Sequence, residues 1–474
     1  MAMSKIGQVK VISESFVKPN YEVEVGVGAS VSNQQPPAYY YLGPMDLVPL
    51  SHDYIHQGML YSFTNTLHAT SDHHHHQSST SYDDRYIESF LEKLKHSLSL
   101  CLVHFCPLAG QLATQKFPDD HASLIFVDCT KGPGARILHA SLDMTVSDLL
   151  SPSGHVSPAV RCLFDLGETK LNHDGHTHPL LSIQVTELLD GIFIGFTMNH
   201  SIADGASFLH FVSALYEVFL TRSDTMIKKP ILKPFFPDGY GLTLKLRYID
   251  PEEFVTRLNP GPLRERIFHF SPAAMAALKA KANEECEALD ISSFQALSAL
   301  LWRSITRARN SNPDEETHCT FPINSRPRLE PPLSEEYFGN FVSGAQISCT
   351  TGELLGHNLG WAARMVHKRL VTQDDKAVRQ FAEMCVKASF VAKPYSKPNR
   401  ILLGWSNKFD MYGHEFGFGR PLAVLSGNGN IFDGKVNLNQ GREGQGSVDL
   451  QIGLRPETLS ALESDEEFMS YVSY

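Results

Sequence analysis

Apolar residues change their period from segment to segment along the chain, and each change marks an element. Ile87, Phe90, Leu91, Leu94, Leu98 and Leu102 recur every three or four residues, the spacing of one helix face over 87–103. Phe105-Cys106-Pro107-Leu108-Ala109-Gly110 ends that helix, because Pro and Gly cannot continue it. Leu181, Ile183 and Val185 alternate with polar neighbours, and Asp190-Gly191 supplies a hairpin turn. The returning run, Ile192 to Met198, is almost wholly apolar and predicts a strand buried on both faces. It delivers Asn199-His200 to its C-terminal end. After Gly205 the residues Phe208, Phe211, Val212, Leu215 and Phe219 resume helical spacing.

Farther on, Pro230, Pro234 and Pro237 with Gly239 and Gly241 break every period, which predicts a long irregular crossing between two halves. Ser292-Ser293 can cap a helix carrying Phe294, Leu297, Leu301 and Ile305 on one face. Between Asn407 and Gly453, Gly-rich punctuation suggests hairpins. The coarse result is a mixed α/β chain in two halves.

Composition narrows the function classes. The chain has 474 residues, 42% hydrophobic and 20% charged, enough for a large core. Lys+Arg 41 against Asp+Glu 52 leaves a net charge of −11, which argues against a nucleic-acid surface. No window of about 20 apolar residues predicts a membrane span. The first residues, MAMSKIGQVKVISESFVKP, lack the apolar core of a secretory signal, so a cytoplasmic location is expected. The eight cysteines are scattered without a CxxC pair and read as reduced thiols. Histidine is abundant at 22 residues. Both its local groups, His73 to His76 and His173, His176 and His178, read as solvated loops rather than metal sites. No metal is expected.

The chemistry concentrates in Asn199-His200-Ser201-Ile202-Ala203-Asp204-Gly205. A histidine at the end of a buried strand is held where a rigid scaffold meets a cleft, and it can exchange protons near neutral pH. Asp204 can orient the imidazole or cap the next helix. There is no Gly-x-Ser-x-Gly elbow and no obvious nucleophile partner. Direct general-base catalysis therefore fits better than a covalent acyl-enzyme.

His200-Ser201-Ile202-Ala203-Asp204-Gly205 resembles the HxxxDG motif of the plant BAHD acyl-CoA-dependent acyltransferases. Leu94 to Gly110 is similar to the family's N-domain helix with its PLAG ending, and Ser292 to Arg309 to its C-domain helix. Arg326, Arg328, Leu329, Pro331-Pro332 and Tyr337-Phe338-Gly339-Asn340 match its RxRLxPPLxxxYFGN run. Glu415-Phe416-Gly417-Phe418-Gly419-Arg420-Pro421 stands where the family has DFGWGKP or DFGWGRP. The C-terminal run from Gly441 to Met469 is most like the branch of defective-in-cuticular-ridges proteins.

The resemblance implies an α/β fold of two similar-sized chloramphenicol-acetyltransferase-like domains. They have mixed sheets and flanking helices, a long crossover loop, and an active-site channel between them. On this chain the divisions fall at 1–221, a linker at 222–247, and 248–474. The implied reaction moves an acyl group from acyl-CoA to a hydroxyl or amine of a plant specialised metabolite, with His200 as base and no bound cofactor. A monomer whose partners are acyl-CoA and a small acceptor is the family norm. Asp204 is implied to face away from the pocket and pair with an arginine. Gly205 is implied to permit the tight turn, and Arg326, Glu415, Phe416, Gly417, Phe418 and Gly419 to hold the fold. For Glu415 the family's carboxylate–arginine pair is expected.

Two departures bear on the chemistry. Glu415 and Phe418 replace the motif's Asp and Trp, and Gly404-Trp405-Ser406 stands in place of a Thr-Ser-Trp run. The substrate-pocket tryptophan is thus displaced by one position, leaving Trp405 and Ser406 as pocket candidates in altered roles. These changes motivate an alternative, a lyase using His200 as base without acyl-CoA. Coenzyme A carries phosphates, so a basic lining is required, and two stretches supply it. One holds Lys387, Lys393, Lys397, Arg400 and Lys408; Lys387, Lys393 and Arg400 are the candidate contacts. The other holds Lys228, Lys229, Lys233, Lys245 and Arg247.

Overall fold

A computed structural model describes residues 8–21, 37–63, 84–167, 170–223, 227–257, 261–287, 290–394, 397–404, 408–427, 429 and 431–473. In the N-terminal half the strands are β1 (Lys10–Val17), β2 (Tyr39–Tyr41), β3 (Ile55–Ser62), β4 (Gln111–Phe117), β5 (Ala122–Asp128), β6 (Ala135–Ser141), β7 (Leu181–Glu187) and β8 (Gly191–Met198). The C-terminal half adds β9 (Arg264–Phe270), β10 (Glu316–Asn324), β11 (Val342–Thr350), β12 (Arg400–Gly404), β13 (Ala423–Ser426), β14 (Lys435–Gln440) and β15 (Val448–Leu454). The helices are α1 (Asp84–His104), α2 (Val146–Leu149), α3 (Gly205–Thr221), α4 (Pro272–Glu285), α5 (Ser293–Arg309), α6 (Thr351–Gly356), α7 (Leu359–Val371) and α8 (Asp375–Ala388), with two short turns of helix near the C-terminus.

Two six-stranded mixed sheets carry the fold. The first has the order β1-β6-β7-β8-β3-β13 and the second β11-β10-β12-β14-β15-β9; a three-stranded sheet β2-β5-β4 stands beside them. The expected hairpin is β7–β8, antiparallel from Leu181↔Met198 to Glu187↔Ile192. Strand β8 is buried along its whole length. Ile192, Ile194, Phe196 and Met198 enter the core shared with α1 and α3, while Phe193 enters a second core with Val160, Leu163 and Phe164. A strand covered on both faces tolerates no polar alternation, which is why its sequence reads as a continuous apolar run.

The second sheet is apolar on one face only. Val436, Leu438, Leu450 and Ile452 pack with α4, α5 and α7. The alternate residues Lys435, Asn437, Asn439, Asp449 and Gln451 share the opposite face, which looks toward the first half. Ser292 caps α5, accepting from Gln295 N at 3.3 Å, as its position in the sequence predicts. Among the described residues, no helix is long and apolar enough to cross a membrane.

One strand departs from the hairpin reading. Ala423–Ser426 leaves its own half and pairs antiparallel with β3, Ala423↔Leu60 to Ser426↔Gln57. All four of its residues are buried, so it gains cover on both faces there and closes the edge of β3. Polar side chains lock the crossing. Ser426 Oγ donates to Gln57 Oε1 at 2.7 Å, Gln57 Nε2 donates to Asn439 Oδ1 at 2.9 Å, and Ser426 N donates to Gln451 Oε1 at 2.8 Å.

Candidate active site

His200 stands two residues beyond β8, in the turn that ends on α3. Its backbone is gripped from both halves. The His200 amide donates to Asn172 Oδ1 at 2.7 Å, and its carbonyl accepts from Asn340 Nδ2 at 2.7 Å. Asn172 is itself fully buried, donating to Pro49 O at 2.7 Å and accepting from Asn199 Nδ2 at 2.8 Å. Asn340 is tied to buried Asp46, whose Oδ1 accepts from both its backbone and side-chain nitrogens. Burial pushes the Asp46 carboxyl up to about 7, against the pull of these donors.

The His200 ring is set by burial rather than by a partner. Burial lowers its pKa below the usual imidazole value, outweighing the opposing effects of its own backbone carbonyl and of Asp204. Among the described residues no carboxylate, hydroxyl or thiol hydrogen-bonds the ring, and its Nδ1 is a buried atom without a partner. At neutral pH this ring is uncharged and able to accept a proton.

Asp204 has other work. It caps α3, its Oδ1 accepting from Ser207 N at 2.9 Å. Its two oxygens meet Arg326, with Nη1 to Oδ2 at 2.6 Å and Nη2 to Oδ1 at 3.1 Å, and Oδ2 also accepts from Phe341 N at 2.9 Å. Asp204 and Arg326 are each only 1% exposed. Burial alone would raise the Asp204 pKa, but the Arg326 charge and these donors hold it below the ordinary carboxylate value. Arg326 also donates to Asn324 Oδ1, Ser207 Oγ and the carbonyls of Tyr337 and Gly339. The Tyr337-Phe338-Gly339-Asn340 run thus serves as the bracket that joins Arg326, Asp204 and the His200 backbone. Gly205 opens α3 directly after the capping aspartate.

The Glu415–Gly419 segment holds the halves together through its aromatics, not through its carboxylate. Phe416 packs against Tyr216 (ring centroids 5.1 Å) and Phe219 (5.3 Å); Phe418 packs against Phe90 (4.8 Å), Tyr61 (5.7 Å) and Tyr86 (5.8 Å). Phe416 (φ 47°), Gly417 (φ 89°) and Gly419 (φ 75°) all take left-handed backbone, which two glycines make inexpensive. The expected Glu415–arginine pair is not formed among the described residues. Glu415 is exposed and, among the described residues, its carboxylate forms no ion pair or hydrogen bond, because the left-handed turn directs the two phenylalanines inward and leaves position 415 on the outside.

The basic candidates separate. Lys387 is exposed on the last turn of α8 and pairs with Glu383 at 2.8 Å; Lys393 is exposed in the following segment. Arg400 instead opens β12 in the interior, over the Phe432 ring at 5.8 Å. Trp405, Ser406 and the run His73 to His76 lie outside the described residues. His173 and His176 sit on a 3-10 helix, Asn172–His176, with His176 Nε2 2.7 Å from Thr114 Oγ1; this turn supports Asn172 beneath His200. Among the described residues no group of three or more His, Cys, Asp or Glu is gathered as a metal ion requires.

Sequence reasoning passed over two basic residues at the centre. His52, just before β3, and Lys435, at the start of β14, both act electrostatically on His200 or are acted on by it. Burial lowers His52 to about 3, helped by His200, Arg400 and Lys435. Burial and then Arg400 lower Lys435 to about 7. The alternation Lys-Val-Asn-Leu-Asn-Gln over 435–440 was the available signal, since it places a lysine on a half-buried strand.

The arrangement has known counterparts. A family model described as "Transferase family" matches residues 82–469. An uncharacterised acetyltransferase of Arabidopsis thaliana is 33% identical over 98% of this chain and 99% of its own length. The BAHD acyltransferase DCR of Arabidopsis thaliana is 29% identical over 98% of this chain and 92% of its own. Among solved structures, vinorine synthase superposes with a TM-score of 0.69 at 18% identity, covering 98% of this chain and 99% of that one. F. graminearum TRI101 complexed with coenzyme A and deoxynivalenol gives 0.70 at 17%, covering 92% and 99%. With a family match across most of its length, full-length acyltransferase relatives and this fold, the chain belongs to the BAHD acyltransferase family.

Proposed function

We propose that the protein transfers an acyl group from a coenzyme A thioester to a hydroxyl or amine of a plant specialised metabolite, with His200 as general base. The observation that carries this reading is the His200 ring itself. It is kept neutral by burial, held at the seam between two sheets by its backbone, and hydrogen-bonded by no carboxylate among the described residues. The acceptor O–H or N–H gives its proton to the imidazole while the oxygen or nitrogen attacks the thioester carbon. The tetrahedral adduct collapses, the C–S bond breaks, and the imidazolium returns the proton to the departing thiolate. General-base help of this kind is worth about 10²–10⁴-fold. Aligning the two substrates contributes up to about 7–11 kcal/mol more.

The lack of a Ser, Thr or Cys partner on the ring, among the described residues, supports direct transfer without an acyl-enzyme. The coenzyme A held by the TRI101 structure supports the donor class. In this reading Asp204, Arg326 and the Phe416–Phe418 pair position the site and touch no substrate. A division at 1–221, 222–247 and 248–474, a cytoplasmic location and a monomeric state complete the proposal.

The test is release of free coenzyme A thiol on mixing purified protein with acyl-CoA donors and an alcohol and amine library, with product masses read in parallel. His200→Ala should abolish turnover and leave Tm within a few degrees. Undiminished kcat in that variant, or product formed equally well without acyl-CoA, would refute the proposal; the second result is what a lyase gives.

A further inference from the structure

Two residues from distant parts of the chain form a clamp on the His200 main chain. Asp46, between β2 and β3, takes both nitrogens of Asn340 on one oxygen, N to Oδ1 at 2.5 Å and Nδ2 to Oδ1 at 3.1 Å. Asn340 Nδ2 gives its second hydrogen to the His200 carbonyl at 2.7 Å. The other Asp46 oxygen, Oδ2, accepts from Gly43 N at 2.7 Å, and Asp46 N donates back to Gly43 O at 3.0 Å. A Cβ at Gly43 would stand 3.2 Å from Oδ2, so the bare backbone lets this loop close on the carboxyl.

Joining the two halves does not require this carboxyl. Ser207 Oγ donates to Gly339 O at 2.9 Å, the Tyr40 hydroxyl donates to Phe338 O at 3.1 Å, and Arg326, which holds Tyr337 O, pairs with Asp204. What Asp46 adds is the orientation of one amide. An asparagine can present its oxygen or its nitrogen, but an Oδ1 that only accepts leaves Asn340 one choice, nitrogen inward. Turned over, the amide would set its oxygen against the His200 carbonyl, acceptor against acceptor. Asp46 is fully buried and, among the described residues, forms no ion pair. A carboxyl buried without a cation is costly, and carboxyls kept at that cost cluster at functional sites. The Asn340 amide also opposes the effect of burial on the His200 ring.

We propose that Asp46 and Asn340 are positioning residues for the base: Asp46 fixes the Asn340 amide and the amide fixes the His200 main chain, so that the imidazole meets the substrates in one pose. This rests on the reading of His200 as general base and adds the residues that aim it. Protonation of Asp46 on Oδ2, the oxygen toward Gly43, leaves Oδ1 to accept from Asn340. The clamp therefore holds on both sides of the Asp46 titration near pH 7, and the acid limb of activity follows His200.

The test is a double-mutant cycle on the full-length protein. Asn340→Ala removes the donor to His200 and leaves Asp46 its two main-chain donors, so Tm should stay within a few degrees. Its kcat should fall about ten- to a hundredfold, with KM for each substrate changed by less than about threefold. Asp46→Ala should lower kcat as well. Because Asp46 acts through Asn340, that second substitution should add no more than about twofold to the loss in Asn340→Ala. A readout independent of turnover is labelling of His200 by diethyl pyrocarbonate, which attacks neutral imidazole, followed against pH by peptide mass spectrometry. The labelling midpoint should lie at lower pH in Asn340→Ala than in the wild type, since the amide that opposed burial is gone. An unchanged kcat, a kcat loss matched by loss of folded protein, additive effects of the two substitutions, or an unmoved His200 midpoint would each overturn the clamp. Absence of turnover with every donor would overturn acyl transfer, and the labelling midpoint would then decide the clamp by itself.

Discussion

Replacing Asp204 by Asn removes one charge and almost no volume, from a pair whose partners are both 1% exposed. Arg326 spreads six hydrogen bonds over its two terminal nitrogens, and two of them go to Asp204. With Asn at 204 the guanidinium stays buried and charged without its anion, a loss that costs about 3–5 kcal/mol. The helix cap survives, because an Asn oxygen can still accept from Ser207 N. Asp204→Ala adds the cap, about 0.5–2 kcal/mol more. Against a total stability of about 5–15 kcal/mol, the Asn variant alone should move the denaturation midpoint far to the left. Guanidinium unfolding followed by circular dichroism measures it, with Arg326→Met and the double variant completing a cycle. The double variant should be less damaged than the sum of the singles, since it buries no unpaired charge. Any loss of kcat should follow the loss of folded protein. An Asp204→Asn protein with an unmoved midpoint and a collapsed kcat would place Asp204 in proton transfer and refute this assignment.

Three further expectations follow from the site. In the proposed reaction the neutral His200 ring is the active form, and burial lowers its pKa, so kcat/KM should climb with pH through a midpoint below 6.5 and then level off. An acid limb centred at or above 6.5 would contradict the burial effect. Phe418→Ala empties the pocket between Phe90, Tyr61 and Tyr86 and should cost about 3–5 kcal/mol in chemical unfolding. Glu415→Gln should change stability by no more than about 0.5 kcal/mol, as for other unengaged surface residues, and a large loss would restore the missing ion pair.

Local periodicity made α1, β7, β8, α3 and α5 legible in the sequence, because each reads out a single face or a doubly buried core. The HxxxDG segment was legible for the same reason: an apolar run ends and a histidine follows. What escaped depends on residues distant in the chain meeting in space. Asn172 sits in a histidine-rich stretch that reads as loop, and only its bonds to Pro49, Asn199 and His200 reveal it as support for the His200 backbone. His52 and Lys435 come from opposite halves, and their common electrostatic field has no local signature. Glu415 misled in the other direction. Its charge suggested an arginine partner, but the left-handed turn at Phe416 decides which side chains face inward.

The exchange of β13 onto β3 also sets an order of events during synthesis. Strand β3 is made early, yet the segment that covers its edge lies about 360 residues later, roughly 20–70 s at ribosomal rates. Through that interval the edge from Gln57 to Leu60 has no partner of its own, at a buried strand of the kind that recruits other chains. Nascent chains truncated before Ala423 should therefore depend on chaperones far more than the finished protein does, and fragments ending near residue 221 should aggregate. Completing the first sheet waits for Ala423–Ser426, so the seam that holds His200 closes only after this late strand has emerged.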